Sequence, residues 1–260
     1  MSDPPEPLLQ GQGWAKKAIA FVKASPTSVA DALLWSSETI PTTSLFSGAC
    51  YPERALHYID SARSEGAGGP ALTECMYTCE NNAKARTSHA DAIGDNSCRF
   101  VNVEDFIDPD TLSEMSKVKA SKTTKRFEKW LQLVKKGKHP PNAFCCKHLK
   151  KCPIRKGFLD LSASMCIAYS SMGCGEGGEN TNGRLLIIYM LYHFRKGTPL
   201  LAHENVPGFE TEKMKDTAEQ YGYRCVSIWC KPMDVNFHVG RPRKQHTCNK
   251  QIGILLAADG

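Results

Sequence analysis

The sequence predicts an α/β fold with a mostly parallel sheet and helices on both of its faces. From Thr43 onward, short β-rich runs alternate five times with longer stretches of helical period. The last two β-rich runs, Tyr223 to Cys230 and Gln251 to Ala258, have no helical stretch between them. They should therefore pair antiparallel at one edge of the sheet. With 260 residues, the chain can form one large domain of this class or two small ones.

The N-terminal half supplies three strand–helix pairs. Pro52 is expected to open the first helix because proline is favoured at the first helical position, and Asp108-Pro109 marks a turn and helix start for the same reason. The pairs are strand Thr43 to Phe46 with the helix from Pro52, strand Leu72 to Cys79 with helix Asn82 to Ala90, and strand Cys98 to Val103 with the helix after Asp108.

The C-terminal half supplies four more strands, which brings the predicted total to seven. A Gly-rich loop, Ser170 to Gly183, separates the first of them from its helix. The predicted elements are strand Phe158 to Ser162, helix Leu185 to Phe194, strand Pro199 to His203, helix Glu210 to Gln220, and the strands Tyr223 to Cys230 and Gln251 to Ala258. Residues 1–40 are interpreted as a tail and helical lead-in, and residues 41–260 as the α/β domain.

A basic segment at about residues 115–157 interrupts this alternation. Lys117 to Lys156 carries 14 of the 33 Lys and Arg residues but only one acid, Glu128, so its net charge is +13 while the rest of the chain is −7. Such clustered cations favour a partner that carries phosphates, although a solvated insertion is the alternative. Phe127, Trp130, Leu131 and Val134 within it have helical spacing, and their aromatic rings are expected to pack rather than to stack on bases.

Composition also narrows the cellular setting. The N-terminus has no basic and apolar signal pattern, and no apolar run reaches the roughly 20 residues that a membrane-spanning helix needs. We therefore expect no membrane partner and an intracellular protein, nuclear if the source is eukaryotic and otherwise cytoplasmic. The 12 cysteines would then remain mostly reduced.

Ligands of such sheets bind at the carboxyl ends of the strands. The residues there, together with the loop before the last strand, form a recognisable series. The motifs are Leu-Phe-Ser-Gly at 45–48, Glu80, Ser-Ala-Ser-Met-Cys at 162–166, Glu-Asn-Val at 204–206 and Arg-Pro-Arg at 241–243. In order and strand placement the series resembles the catalytic core of the C5-cytosine DNA methyltransferases. It spans Thr43 to Ala258 and ends without the family's target-recognition region and C-terminal motifs. Either the sequence is a fragment or another element substitutes, and the basic segment is one candidate substitute for DNA contact.

The resemblance implies a Rossmann-like fold of the S-adenosylmethionine-dependent methyltransferases, with a seven-stranded sheet. It also implies methyl transfer to carbon 5 of cytosine in DNA, with Cys166 adding to C6 as a thiolate. Glu204 would bind N3 and the amino group of the base, and Asn205 would brace its loop. Arg241 and Arg243 would favour the thiolate and hold the cytosine O2.

The resemblance places S-adenosylmethionine at the ends of the first three strands. Glu80 is the acid expected to bind the ribose hydroxyls. For the adenine amino group, Asn102 aligns best, with Asp105 as the alternative. The remaining cofactor-binding candidates belong to the first-strand motif and the turn after it: Phe46, Ser47, Gly48 and Ala49.

The expected macromolecular partner is DNA, with RNA as the alternative. A base within a duplex must be flipped out to be methylated, and the Gly-rich loop is a candidate for closing over it. The candidate nucleic-acid contacts are Lys135, Lys136, Lys138, Ser170 and Ser171. The alternative functions are a tRNA cytosine methyltransferase, or a catalytically impaired module that binds nucleic acid or another partner.

A metal site is the other hypothesis that the cysteines raise. Cys145, Cys146, His148 and Cys152 lie within eight residues, but adjacent cysteines and such tight spacing fit a tetrahedral zinc site poorly. Reduced cysteines in a basic loop are therefore preferred, and no metal is expected.

Overall fold

The computed structural model describes residues 16, 39–46, 48, 51–67, 71–87, 96–119, 125–163, 182–205, 211–230 and 250–257. Six helices and nine strands lie in this part of the chain. The strands are β1 (Ile40–Leu45), β2 (Thr73–Cys79), β3 (Cys98–Phe100), β4 (Asn142–Cys145), β5 (Lys150–Pro153), β6 (Leu159–Ser162), β7 (Leu200–Asn205), β8 (Tyr223–Cys230) and β9 (Lys250–Ala257). The helices are α1 (Tyr51–Ala67), α2 (Ala83–Thr87), α3 (Pro109–Lys117), α4 (Arg126–Lys136), α5 (Gly183–Lys196) and α6 (Thr211–Glu219).

All nine strands form one sheet in the order β5-β4-β3-β2-β1-β6-β7-β9-β8. The five central strands, which are β3, β2, β1, β6 and β7 in sheet order, are parallel. Strand β9 is antiparallel to both of its neighbours, β7 and β8. Chain order reverses between β1 and β6, which is where ligands bind in open α/β sheets. Seven of these strands, all except β4 and β5, are the predicted ones, and they form the expected mostly parallel Rossmann-like sheet. The predicted antiparallel pairing of the last two strands is confirmed, with the reversed strand β9 lying second from the edge.

The basic segment adds two strands that the sequence analysis did not predict. It contributes α4 and the hairpin β4–β5, which extends the sheet beyond β3. Within β4, Ala143 and Cys145 are buried while Phe144 is 49% exposed. The apolar side chains of β4 therefore do not all face the core. The alternation of apolar and polar residues that would predict a half-buried strand is absent from its sequence.

The helix starts follow local chemistry. Asp108 caps α3 because its carboxylate accepts hydrogen bonds from the Thr111 backbone N–H (2.9 Å) and hydroxyl (2.8 Å), and Pro109 begins the helix. In α4 the residues Phe127 and Trp130 are buried, as the expected packing role requires. The third predicted strand is shorter than expected, because Val103–Phe106 forms a 3-10 turn.

Helix α5 lies at the centre of the core, with every residue from Leu186 to Phe194 buried. Tyr192 in this helix packs against Phe106 with ring centroids 5.0 Å apart, and Phe106 packs edge-to-face on Tyr77 and Phe100. This aromatic cluster joins the 3-10 turn to β2 and β3, and so holds the ends of these strands in place. None of the helices in the described part of the chain is long and apolar enough to cross a membrane.

Candidate functional site

A cleft of about 460 Å³ opens at the carboxyl ends of β1, β2 and β3. Its walls come from the segments that follow these strands, from the end of β6 and from the start of α5. The lining residues are Phe46, Gly48, Cys79, Glu80, Asn81, Asn82, Val101, Asn102, Val103, Glu104, Ala163, Asn182, Arg184 and Leu185. Of the seven predicted cofactor-binding residues, Phe46, Gly48, Glu80 and Asn102 meet here. Ser47 and Ala49 lie outside the described residues.

Glu80 connects the ends of the first two strands. One carboxylate oxygen accepts the Gly48 N–H at 2.8 Å, and the other accepts the Asn82 N–H at 2.7 Å. A carboxylate has about four acceptor positions, so each oxygen of Glu80 retains one position for a ligand. The side chain therefore shapes the loop after β1 and can also accept hydrogen bonds in the cleft.

The loop after β1 begins with two left-handed residues, Phe46 and Gly48, each with φ 55°. This conformation costs a non-glycine residue about 1 kcal/mol, and such strain clusters at ligand sites. The Phe46 ring packs edge-to-face on Tyr189 of α5 at 6.0 Å, which holds it in this conformation. At Gly48 a side chain would find open space but would still be strained by the positive φ.

The two candidates for the predicted adenine contact lie in the segment after β3. Asn102 lines the cleft, whereas Asp105 is exposed outside it. Partial burial of its carboxyl group, and secondarily the neighbouring Glu104, raise the pKa of Asp105. The cleft also contains an ion pair between Glu104 and Arg184 that the sequence analysis missed. Because Arg184 belongs to a helix 80 positions later in the chain, no local pattern could have predicted this pair.

Beneath the cleft, a buried network joins β1 to β6 at the point where chain order reverses. Asp160 is fully buried and accepts hydrogen bonds from the hydroxyls of Thr43 (2.7 Å), Tyr189 (2.9 Å) and Ser162. Ser162 in turn accepts the Leu45 N–H at 3.3 Å. The network positions the end of β6, from which the segment that carries Cys166 departs.

The predicted catalytic residues belong to elements that end at this same edge of the sheet. Ser162 of β6 is paired with His203 of β7, so Glu204 and Asn205 follow directly beside the end of β6. Asn205 is buried and Glu204 is half-buried. Cys166, in the segment after β6, lies outside the described residues.

Arg241 and Arg243 also lie outside the described residues. The two strands on either side of them are described. Strand β8 ends at Cys230, β9 begins at Lys250, and these two residues are paired. The next residue of β9, Gln251, pairs with Asn205 at the end of β7. The connection that contains both arginines therefore leaves and re-enters the sheet at the edge where Glu204 lies.

His203 lies just before this motif and is buried, with its ring 5.5 Å from that of Tyr189. Burial lowers the pKa of His203 to about 4. Burial also lowers the pKa of His193, although the nearby Asp160 acts in the opposite direction. Both imidazoles are therefore neutral at pH 7 and form part of the core.

Two groups of lysines in the basic segment lie near opposite ends of helix α5. At its first turn, which lines the cleft, Arg184 donates a hydrogen bond to Ser116 at the end of α3 (3.5 Å). At its last turn, Arg195 donates to the backbone carbonyls of Lys135 and Gly137. Eleven residues at 1.5 Å each separate the two arginines by about 16 Å.

Two of the predicted nucleic-acid contacts, Lys135 and Lys138, therefore lie beside the end of the helix that is remote from the cleft, and we call them the far-side lysines. The third, Lys136, lines a groove between α3 and α4 together with Lys117 and Lys119. The indole N–H of Trp130, early in α4, donates a hydrogen bond to the carbonyl of Met115, late in α3, while Gly137 after α4 lies against Thr111, early in α3. Helix α4 is therefore antiparallel to α3. Three exposed lysines at the end of α3 and the start of α4 thus lie at the cleft end. We call them the cleft-side lysines: Lys117, Lys119 and Lys125. Ser170 and Ser171, the other predicted contacts, lie outside the described residues.

Away from the cleft, a separate group of side chains could hold a metal ion. Cys98, Cys145, His148 and Cys152 bring their ligand atoms within 4.8 Å of one another. The sequence analysis considered Cys146 in place of Cys98, and this choice differs from the group that the structure assembles.

Comparison with known proteins gives only remote likenesses. No family model and no curated protein matches the sequence. Among solved structures, one is described as a DNA modification methyltransferase encoded within an E. coli prophage (13% identity, TM-score 0.43). The match covers 84% of this chain and 47% of that protein, so the chain spans about half of its length.

Two further structures cover most of both chains. A protein described as an RNA methyltransferase from Pyrococcus horikoshii matches at 9% identity and TM-score 0.39, over 95% of this chain and 98% of its own. A precorrin-6y C5,15-methyltransferase from Geobacter metallireducens matches at 10% identity and TM-score 0.38, over 90% and 92%. Likenesses this remote do not indicate an activity for this chain.

Proposed function

We propose that this chain is an S-adenosylmethionine-dependent methyltransferase that acts on carbon 5 of cytosine in DNA. One observation carries the proposal. Phe46, Gly48, Glu80 and Asn102, which the resemblance assigns to the cofactor, meet in a single cleft beside the point where chain order reverses. This is the place where open α/β sheets bind nucleotides.

The cleft fits the cofactor in size and in chemistry. A volume of about 460 Å³ falls in the range of sites that enclose small ligands, roughly 300–1,000 Å³. Glu80 can accept two ribose hydroxyls with the acceptor positions that its backbone hydrogen bonds leave open. Gly48 has no side chain to keep a ligand from the backbone, and Asn102 offers an amide to the adenine edge. S-adenosylmethionine, when bound, supplies an electrophilic methyl group.

The nucleophile in this proposal is Cys166. Carbon 5 of cytosine is a weak nucleophile, so the Cys166 thiolate first forms a bond to C6 and raises the electron density at C5. Arg241 and Arg243 favour the thiolate over the thiol and hold the cytosine O2. Glu204 holds the proton on N3 while the adduct exists. After C5 gains its methyl group, its proton passes to solvent and the C–H electrons re-form the C5–C6 double bond. The S–C6 bond breaks in the same step, which regenerates the thiolate.

The strand ends support this assignment of roles. Glu204 lies directly beside the end of β6, which leads to Cys166, and the connection that holds the two arginines begins and ends at the same edge. The buried network around Asp160 holds the end of β6 in place, and the chain continues from there toward Cys166. A rigid support of this kind reduces the cost of bringing the reacting groups together.

The polyanionic substrate is proposed to lie across the cleft end of the basic segment. The target base must leave its stack to reach both a thiol and a methyl donor. The cleft-side lysines are exposed and belong to the helix ends near Ser116, which accepts a hydrogen bond from Arg184, so they can bind the phosphates that flank a flipped nucleotide. Two of them form exposed ion pairs, Lys117 with Glu114 and Lys125 with Glu128, which are weak enough to exchange for phosphate.

A covalent trap tests the proposal. Release of the enzyme requires the loss of a proton from C5. Fluorine at C5 blocks this loss, so the Cys166 adduct persists after methyl transfer. We expect wild-type protein, incubated with S-adenosylmethionine and 5-fluorocytosine-containing DNA, to form an adduct that survives denaturing electrophoresis. Cys166→Ser should form none, whereas Cys75→Ser should form as much as wild type, because burial raises the pKa of Cys75 to about 12 and keeps that thiol protonated.

Two results would contradict the proposal. An adduct that persists in Cys166→Ser would mean that another nucleophile acts. S-adenosylmethionine binding without an adduct on DNA would exclude DNA cytosine chemistry. A parallel incubation with 5-fluorocytosine-containing tRNA distinguishes the RNA alternative, since adduct formation on tRNA alone would reassign the substrate.

A further inference from the structure

Three thiols and one imidazole converge at the amino end of β3, away from the cofactor cleft. Cys98 begins β3, Cys145 ends β4, His148 lies in the turn of the hairpin, and Cys152 belongs to β5. Their ligand atoms all lie within 4.8 Å of one another. The three sulfurs are buried and are free of disulfide bonds.

The distances favour a metal ion over a hydrogen-bonded cluster. The Nδ1 atom of His148 is 3.7 Å from the Cys98 sulfur, 3.3 Å from that of Cys145 and 3.4 Å from that of Cys152. A neutral ring nitrogen has one lone pair and can accept only one thiol proton, so three sulfurs around it cannot all be satisfied in this way. A tetrahedral zinc ion with ordinary Zn–S and Zn–N bonds would hold each sulfur about 3.6 Å from the nitrogen.

The surroundings suit a site of negative charge. The backbone N–H of Arg99 donates to the Cys145 sulfur at 3.3 Å, a contact that stabilises a thiolate. Three thiolates, one neutral imidazole and Zn²⁺ together carry one negative charge. Lys147, Lys150 and Lys151 lie in the same hairpin and offset this charge.

We propose that Cys98, Cys145, His148 and Cys152 bind one Zn²⁺ ion as a structural site. Binding releases three thiol protons and forms three Zn–S bonds and one Zn–N bond. With four protein ligands the coordination is complete, and no position remains open for a substrate. The ion fastens the hairpin β4–β5 to β3, and the two residues after β3, Val101 and Asn102, line the cleft. This inference does not depend on the proposed methyl transfer.

The backbone of the turn is consistent with an external constraint. Leu149 is 77% exposed and has φ 53°, a left-handed conformation that costs a leucine about 1 kcal/mol. Its side chain is too exposed to offset this cost by packing. A metal ion bound to His148 and Cys152, on either side of Leu149, supplies the missing constraint.

Metal analysis of the full chain tests the proposal. The protein is expressed in zinc-supplemented medium, passed over a chelating resin, and measured by inductively coupled plasma mass spectrometry. We expect about one zinc per chain in the wild type and at least a tenfold loss in Cys98→Ser and Cys152→Ser. Cys146→Ser is the matched control, because Cys146 belongs to the same turn but lies outside the group, and it should retain its zinc.

A second measurement covers variants that fail to fold. Wild-type protein with Co²⁺ in place of zinc should show the intense visible bands of tetrahedral cobalt and the ultraviolet charge-transfer bands of bound thiolate. Its melting temperature should fall when a chelator is added. A wild type that retains less than a tenth of an equivalent of zinc, or a disulfide between any two of the three cysteines, would overturn the proposal. Equal zinc loss in Cys146→Ser and Cys98→Ser would do the same.

Discussion

Replacing Glu80 by glutamine perturbs the cofactor cleft with a minimal change in shape. Both carboxylate oxygens accept backbone hydrogen bonds, from Gly48 and Asn82. An amide has one acceptor oxygen and one donor nitrogen, so one of these N–H groups would face another donor. The variant also loses the negative charge that strengthens a hydrogen bond to a ribose hydroxyl. We therefore expect weaker S-adenosylmethionine binding through two linked effects.

The magnitude follows from the type of bond that is lost. A hydrogen bond to a charged group contributes about 1.5–3 kcal/mol, and each 1.4 kcal/mol corresponds to a tenfold change in affinity. Glu80→Gln should therefore raise the dissociation constant of S-adenosylmethionine about 10- to 150-fold, as measured by isothermal titration calorimetry. Glu74→Gln is the matched control, because Glu74 is an exposed acid on β2, the strand that Glu80 directly follows, and does not line the cleft.

The reasoning would be refuted if Glu80→Gln bound the cofactor within twofold of the wild type while remaining folded. It would also be refuted if Glu74→Gln weakened binding as strongly. In the second case the effect would come from the net charge of the protein rather than from the cleft.

The remaining predictions concern stability and the nucleic-acid partner. Because burial lowers the pKa of His203 to about 4 from an ordinary value near 6.5, the unfolded chain binds a proton more readily and stability is lost as the pH falls through this window. Urea unfolding should show about 2 kcal/mol of this loss between pH 7 and pH 5, and His203→Gln should remove that part. Trp130→Phe, which loses a 2.9 Å hydrogen bond to the Met115 carbonyl, should lower the unfolding free energy by about 1–2 kcal/mol in the same assay. Changing the cleft-side lysines to glutamine should reduce the slope of log affinity for DNA against log salt by about 2 to 3, while the same change in the far-side lysines should reduce it less. An equal or larger reduction from the far-side lysines would mean that DNA does not approach from the cleft end.

The core strands and the helix starts could be predicted because their signals are local. The alternation of β-rich and helical runs identified all seven core strands, with ends that differ by up to three residues. The helix start predicted at Asp108-Pro109 was confirmed, because the signals for a helix start, a cap and the first helical turn, lie within four consecutive residues. The helical stripe around Trp130 was correct because burial on one face imposes a period of 3.6 residues.

What the sequence analysis missed depends on distant partners. Strand β4 exposes Phe144 and buries Ala143, so its hydrophobic pattern does not indicate which face is buried. Cys98 joins the hairpin cysteines only because β3 pairs with β4, although 46 residues lie between Cys98 and Cys145 in the chain. Spacing alone therefore favoured Cys146, the nearer cysteine.

The candidate site follows the same rule. Glu80 and Gly48 could be placed because each follows a strand, and the ends of parallel strands meet at one edge. The position of the lysines relative to the cleft could not be predicted from the sequence, because it depends on the direction in which α4 packs against α3.

Nucleoside mass spectrometry tests the central claim most directly. DNA is incubated with the full chain and S-adenosylmethionine that carries an isotopically labelled methyl group, and it is then digested to nucleosides. The account predicts labelled 5-methyldeoxycytidine with the wild type and none with Cys166→Ser. A labelled methyl group on N4 of cytosine or N6 of adenine, or labelled 5-methyldeoxycytidine with Cys166→Ser, would contradict it.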